Sequence, residues 1–531
     1  MRRTISNVAT TLALTALVTT ACSKKLREYG EVDGDGGNSG NPGKSEGGQG
    51  GDGDPGQRET LSVVDVTPPS GAIDVERDVP IVVTFSAAVD PESVTTSAFE
   101  VVGVNGPIAG TLTVEDEVIT FRPERRWHLH SEVTVKVSTD LKGSRGERLA
   151  EGAESSFFVR DGEFGVPALL SPDTSVNVVS AGNKAGDVIV AWQDAESTHI
   201  AVTVFDAAVG SWTEVVELSN GAVNWRPQVA INALGDALAV WDDGATASTA
   251  AGWSRYSRES GWSAPKTLDR TAHPGSAIAV ALADDGLAVG LWGQSNGDEW
   301  DLWSSWLNDD WSTPTRVHGA SGYPQALVAG NEFLAVTQRS SDDAYVVRVA
   351  PPNGNWATST VFEGQPRVVA DDEVALATVV SNNVLKVSRY VEKVWSEPIE
   401  VGEATPPFHE ASVMATHAMA TWLTATGAVR CSITQGDDWS DSVDLGTAEV
   451  YPPPTSVLDR AGNAIVFWST EGNAWPTGES MTWRRYRDGF GWSSPRTLPY
   501  AAEGVRAFAD SEGNVIAVFM NEDGVWHSRF E

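Results

Sequence analysis

The stretch that decides the fold runs from Arg226 to Arg270 and reads RPQVAIN, ALG, DALAVWDD, GATASTAA, GWSRYSRES and GWSAPKTLDR. Four short runs of β character are separated by turn residues, and Trp241, Trp253 and Trp262 hold fixed places within them. Alternating apolar runs of this length, bounded by Gly, Asp, Asn and Ser, predict a small antiparallel sheet. A sheet of four strands cannot bury both faces alone, so copies must stack.

Copies are present. A tryptophan, followed by Ser or Thr in every copy but the one at Trp356, recurs at Trp212, Trp262, Trp311, Trp356, Trp395, Trp439 and Trp492, in most copies with a proline three residues on. Successive spacings are 50, 49, 45, 39, 44 and 53 residues, which suits four strands per unit. Ahead of these residues lie apolar runs closed by Trp192, Trp241, Trp292, Trp422 and Trp468, and a third run carries Arg-aromatic pairs such as Arg255-Tyr256 and Arg485-Tyr486. Units of this kind build a β-propeller. The last unit stops at its third strand, and Phe164–Leu170 (FGVPALL) supplies the missing outer strand, so pairing of the two ends closes the ring and removes open edges. Eight blades of 46 residues account for residues 164–531; seven is the alternative, because the units near Tyr323 and Gln365 lack the second-strand Trp.

The chain before the repeat has three parts. Residues 1–21 have an Arg2-Arg3 start, an apolar run from Val8 to Val18 too short to span a bilayer, and small residues ahead of Cys22, which predicts a secretory signal. The segment VTTAC resembles the bacterial lipobox, with Thr19 where that family has Leu, and the resemblance implies lipidation of Cys22. Cys431 is the second of two cysteines, expected free and buried. Residues 22–59, including GEVDGDGGNSGNPGKSEGGQGGDGDPGQRE, are nearly devoid of apolar residues to bury and read as a lipid-anchored, disordered tether.

Residues 60–160 alternate between β-length runs and Pro, Gly, Asp and Ser turns, the pattern of an immunoglobulin-type sandwich. PPSGAIDVERDVPIVVTFSAAVD followed by VITFRPERRWHLHSEVTVKV resembles the bacterial Ig-like domain of the surface-layer SbsA type, with Val133 in place of a frequent Tyr. The resemblance implies a spacer or adhesion module without chemistry. His128 and His130 have the spacing of a metal pair but no third ligand nearby, and are read as a solvated turn. The expected fold is therefore all-β: a sandwich over residues 60–160, then a propeller over residues 161–531.

Function is less legible. The second-strand tryptophans are expected to wedge between blades, which leaves the loops as candidate binding surface. Loops before the inner strands hold Trp225, Arg226, Tyr323, His409 and Tyr451; loops between second and third strands hold Trp300 and Trp475. Aromatic rings beside Asp, Glu and Asn suit a sugar, and the acidic pair Asp242-Asp243 is read as a loop of the same face. The repeat resembles sialidase-like and lectin-like propellers, which implies glycan handling, yet the Ser-x-Asp-x-Gly-x-x-Trp box of sialidases is unmatched and no nucleophile, metal or nucleotide motif is present. The chain carries 72 acidic and 37 basic residues, a net charge of −35, so nucleic acid is excluded as a partner. The expectation is a monomeric cell-envelope lipoprotein, exported and lipid-anchored at the outer membrane or cell surface. It has no cofactor, metal or catalytic residue and binds a glycan or an envelope protein. A glycoside-active enzyme using paired carboxylates is the alternative.

Overall fold

The computed structural model describes residues 60–171, 175–219, 224–243, 250–269, 278–295, 300–319, 321–339, 344–371, 374–435, 438–448, 453–470, 480–501, 503–521 and 523–531. Two antiparallel sheets form the first domain. One orders Val63–Thr67, Ile81–Phe85, Val118–Pro123 and Gly110–Glu115; the other orders Gly106–Pro107, Phe99–Gly103, Glu132–Val137 and Ala153–Phe158. Alternation in IVVTF and EVTVKV turns Ile81, Val83, Phe85, Val133, Val135 and Val137 into one core with Trp127 and Phe157.

Eight further antiparallel sheets follow, and the first strand of each lies against the first strand of the next. These inner strands are Ser175–Gly182, Asn224–Ile231, Ala279–Leu282, Ser321–Ala329, Pro366–Asp371, His409–Met414, Thr455–Leu458 and Glu503–Ala509, and the eighth lies against the first. The eighth sheet takes its outer strand from far upstream: Ala168–Ser171 pairs with Gly524–Phe530 through Trp526 opposite Leu169 and His527 opposite Ala168.

The repeated residues have local reasons. In six sheets the Ser or Thr after the outer tryptophan accepts a third-strand N–H, as Ser263 Oγ does from Arg255 at 3.1 Å, with Thr213, Ser312, Ser396, Ser440 and Ser493 in the same role. The tryptophan itself packs on the third-strand aromatic opposite, with ring centroids 5.5 Å apart for Tyr256 and Trp262, 5.2 Å for Tyr390 and Trp395, and 5.3 Å for Tyr486 and Trp492. The Arg-Tyr pairs are therefore framework: Arg255 donates to the carbonyls of Gly286 and Leu307 in the next sheet. The second-strand residues Trp192, Trp241, Trp292, Trp422 and Trp468 are all buried. Cys431 is buried and free, and burial pushes its thiol up to about 12.

Turns between first and second strands repeat a side-chain cap that the outer tryptophans do not reveal. Asn183, Asn232, Asp459 and Asp510 each accept two main-chain N–H groups through Oδ1, from the residues two and four positions on. The positive-φ glycines Gly186, Gly235, Gly462 and Gly513 complete these turns.

The segment containing His128 and His130 differs from the solvated turn expected of it. Its exposed-looking charges flank Trp127-His128-Leu129, which is buried, and Leu129 has 0% exposure inside the propeller cluster of Phe467, Trp483, Phe519 and Phe530. Arg77 fastens the same junction, donating to Asn514 Oδ1 at 2.6 Å and to the Glu512 carbonyl at 3.2 Å. His130 packs on Phe490 with centroids 4.8 Å apart, and burial lowers its pKa. Apolar area closed off in this way, rather than polarity of the local string, decides where the segment lies.

Candidate functional site

Inner strands run from the loop face toward the capped turns and line a central channel. At the capped-turn end all eight contribute to a cavity of about 770 Å³, whose walls mix apolar residues such as Ile231, Val328 and Ala411 with the charged Lys184, Asp284, Asp285 and Asp371. Toward the loop face the lining changes. The inner-strand residue paired with the position just before Trp192, Trp241, Trp292, Thr337, Val379, Trp422, Trp468 and Phe519 of the second strands is Val179, Gln228, Ala279, Gln325, Arg367, Glu410, Thr455 and Arg506, sheet by sheet. Charge is thus confined to the fifth, sixth and eighth sheets.

Glu410 is recessed in this layer, with Arg367 Nε 4.0 Å from its Oε1. Burial pushes the Glu410 carboxyl up, opposed by the positive charges of Arg367 and Arg506. Glu410 is the single carboxylate of the layer, which on its own does not supply the two-carboxylate pair of glycoside hydrolysis. Bulges shape the same level: the register shifts between Val176 and Val179, Trp225 and Gln228, Ser321 and Gln325, and Glu503 and Arg506. Asn177, Arg226 and Gly504 take left-handed φ within them, at 53°, 49° and 55°.

The candidate residues separate into distinct environments. Arg226 lies in this bulge, and its Nε donates to Asp242 Oδ2 at 2.7 Å. Asp242 and Asp243 close the strand Ala237–Asp243 rather than opening a loop, and Asp242 is 2% exposed. The backbones of Trp225 and Tyr323 belong to the inner strands Asn224–Ile231 and Ser321–Ala329. His409 lies in a strand rather than a loop: it begins His409–Met414, is 2% exposed, and its Nδ1 lies 2.9 Å from Thr378 Oγ1. Burial, reinforced by Arg367, pulls its pKa down to about 4. Trp300 begins the strand Trp300–Leu307 at the loop face and is 39% exposed. Of the tryptophans whose side chains are described, it alone is exposed. Its neighbour Asp301 points into the sheet and accepts from Arg316 Nη2 at 2.7 Å. Tyr451, Trp475 and Cys22 lie outside the described residues.

Arg367, Glu410 and Arg506 were not among the sequence candidates. Their signal is positional: each pairs with the residue before the aromatic or aliphatic that closes the second strand, a relation visible only once strands are registered. No group of three or more His, Cys, Asp or Glu suited to a metal occurs among the described residues.

Residues 57–159 match the model of the bacterial Ig-like domain family. No curated protein matches the chain. Among solved structures, the chain is similar to the fucose-specific lectin from Aleuria aurantia, at 12% identity, covering 62% of this chain and 97% of that one with a TM-score of 0.33. It is also similar to the β-propeller domain of the Trilobed protease from Pyrococcus furiosus, at 10% identity, 65% and 100% coverage and a TM-score of 0.37. A third similarity is to the Dos1 propeller, at 8% identity, 70% and 95% coverage and a TM-score of 0.39.

Proposed function

We propose that the chain is a non-catalytic binding module of the bacterial cell envelope, anchored through a lipid on Cys22 and held off the membrane by residues 22–59. The propeller's loop face engages a glycan. The observation that carries this reading is Trp300: the other described tryptophan side chains are committed to packing within or between sheets, whereas this ring faces outward at a strand start. A flat ring exposed on a rigid scaffold stacks on the apolar face of a pyranose at little entropic cost. The junction at Leu129 and Arg77 supports a stalk that presents the ring in a fixed orientation.

Glycan-array retention of the chain from Thr60 onward tests the reading. Retention that Trp300→Ala abolishes while the fold survives supports it. Absence of retention on any glycan refutes it, and release of free reducing sugar from a bound glycan replaces it with the glycoside-active alternative. Palmitate labelling in a bacterial host tests the anchor, with loss on Cys22→Ser as the expected outcome.

A further inference from the structure

We propose that Arg367 and Arg506, on either side of Glu410, form an anion site at the mouth of the channel that takes the carboxylate group of a small ligand. Three observations lead there. Two guanidinium groups face one carboxylate, so the layer is locally positive inside a chain of net charge −35. Among the described residues, Arg367 meets Glu410 only at 4.0 Å, and Arg506 forms no hydrogen bond or ion pair. Both arginine side chains are exposed although their strands are the innermost of the ring, so their charged ends face open space. Arginine forks are matched to a planar carboxylate, and two of them from different sheets fix its position.

Neighbours in the layer add neutral polarity. Thr455 contributes a hydroxyl, whereas the Gln325 amide is already donated to the Val368 carbonyl at 2.7 Å. Just beyond, Ala411 and Ala507 border the cavity of about 770 Å³, room for the neutral body of a ligand held by its carboxylate, whereas Asp284, Asp285 and Asp371 on its wall disfavour a second negative charge there. Glu410 sets the sign of the control. It repels a bound carboxylate, and the charged groups facing it are Arg367 and Arg506, while adjacent His409 is turned to Thr378. The site does not depend on Trp300 meeting a sugar.

Isothermal titration at low ionic strength with glucuronate, succinate and neutral glucose tests the proposal on the chain from Thr60 onward. Glucuronate or succinate is expected to bind and glucose is not. Binding of glucuronate alone assigns a sugar acid, and equal binding of succinate assigns a general organic acid. Arg506→Ala should weaken association by about tenfold or more, Arg506→Lys by less, and Glu410→Gln should strengthen it. Thermal midpoints establish that each variant is folded. The proposal is overturned if neither acid binds, if Arg506→Ala binds as tightly as the parent, or if Glu410→Gln weakens binding.

Discussion

The indole Nε1 of Trp422, on the second strand of the sixth sheet, donates to the main-chain carbonyl of Glu403, on the outer strand of the fifth, at 2.7 Å. The bond crosses between sheets, and the ring lies against Gly402, where an added Cβ would fall 2.7 Å from Trp422 Cζ2. Trp422 is thus both the filler and the hydrogen-bonded latch of one blade junction. Trp422→Ala should destabilise the ring by about 3–5 kcal/mol, because a buried aromatic is lost and the Glu403 carbonyl loses its indole donor. Trp422→Phe should cost less. Urea unfolding followed by circular dichroism measures both; equal costs would mean that the ring's packing contributes nothing beyond the hydrogen bond that both variants lose.

Gly252 sits opposite Trp241 in the second sheet, and a Cβ there would come within 2.2 Å of the indole. That distance is far below van der Waals contact, so Gly252→Ala should displace the ring and cost about 1–3 kcal/mol. Gly210, whose added Cβ would meet nothing within 4 Å but whose φ is 77°, serves as a contrast in which only backbone strain acts. A red shift of tryptophan fluorescence for Gly252→Ala but not for Gly210→Ala would separate the two causes.

Much of this fold was legible because its cause is local and repeated. An apolar run ending in Trp422 or Trp468 reads as a buried strand, and the Ser or Thr after Trp262 or Trp492 reads as part of a fixed turn, since each residue acts on partners within its own sheet or the next. The all-β order of an Ig-like domain followed by a propeller rests on such residues. The charged layer was not legible. Arg367, Glu410 and Arg506 come together only after three strands, successively 43 and 96 residues apart, take their places in the ring, and no local pattern marks them. His409 was misplaced for the related reason that a histidine beside prolines reads as a loop. Its burial is decided by Thr378 on a neighbouring sheet. Leu129 was hidden among charged residues, and only the distant Phe519 and Phe530 explain it.

His409 should make stability fall in mild acid. In the folded chain its imidazole stays neutral down to about pH 4, whereas an unfolded chain protonates near the ordinary histidine value of 6.5. Between these values the unfolded state binds the extra proton, so stability is full above the unfolded value and declines as pH falls through the window, by about 3 kcal/mol at most. His527, also held down to about 4 by burial, acts in the same window. His409→Gln should therefore flatten the pH dependence without removing it. Urea unfolding at about pH 7.5 and about pH 4.5 tests this; an unchanged slope in the variant would show that His409 is not protonated on unfolding there.

Leu129 should stabilise a domain to which it does not belong. Its side chain is buried among Val457, Phe519 and Phe530 of the propeller, and its N–H donates to the Glu512 carbonyl at 2.9 Å, beside the Arg77 bond to Asn514. A leucine removed from such a site costs about 2–5 kcal/mol, depending on how far its pocket collapses. Were the sandwich merely tethered, that cost would fall on residues 60–160 or on neither domain. With the packing observed, Leu129→Ala leaves its cavity against the eighth sheet, where the strand Ala168–Ser171 closes the ring. Hydrogen exchange should therefore quicken in Val515–Asn521 and Gly524–Phe530 of the variant, while the sandwich strands Ile81–Phe85 and Glu132–Val137 change less. Exchange altered only in the sandwich would place Leu129 in its core alone and make the two domains independent.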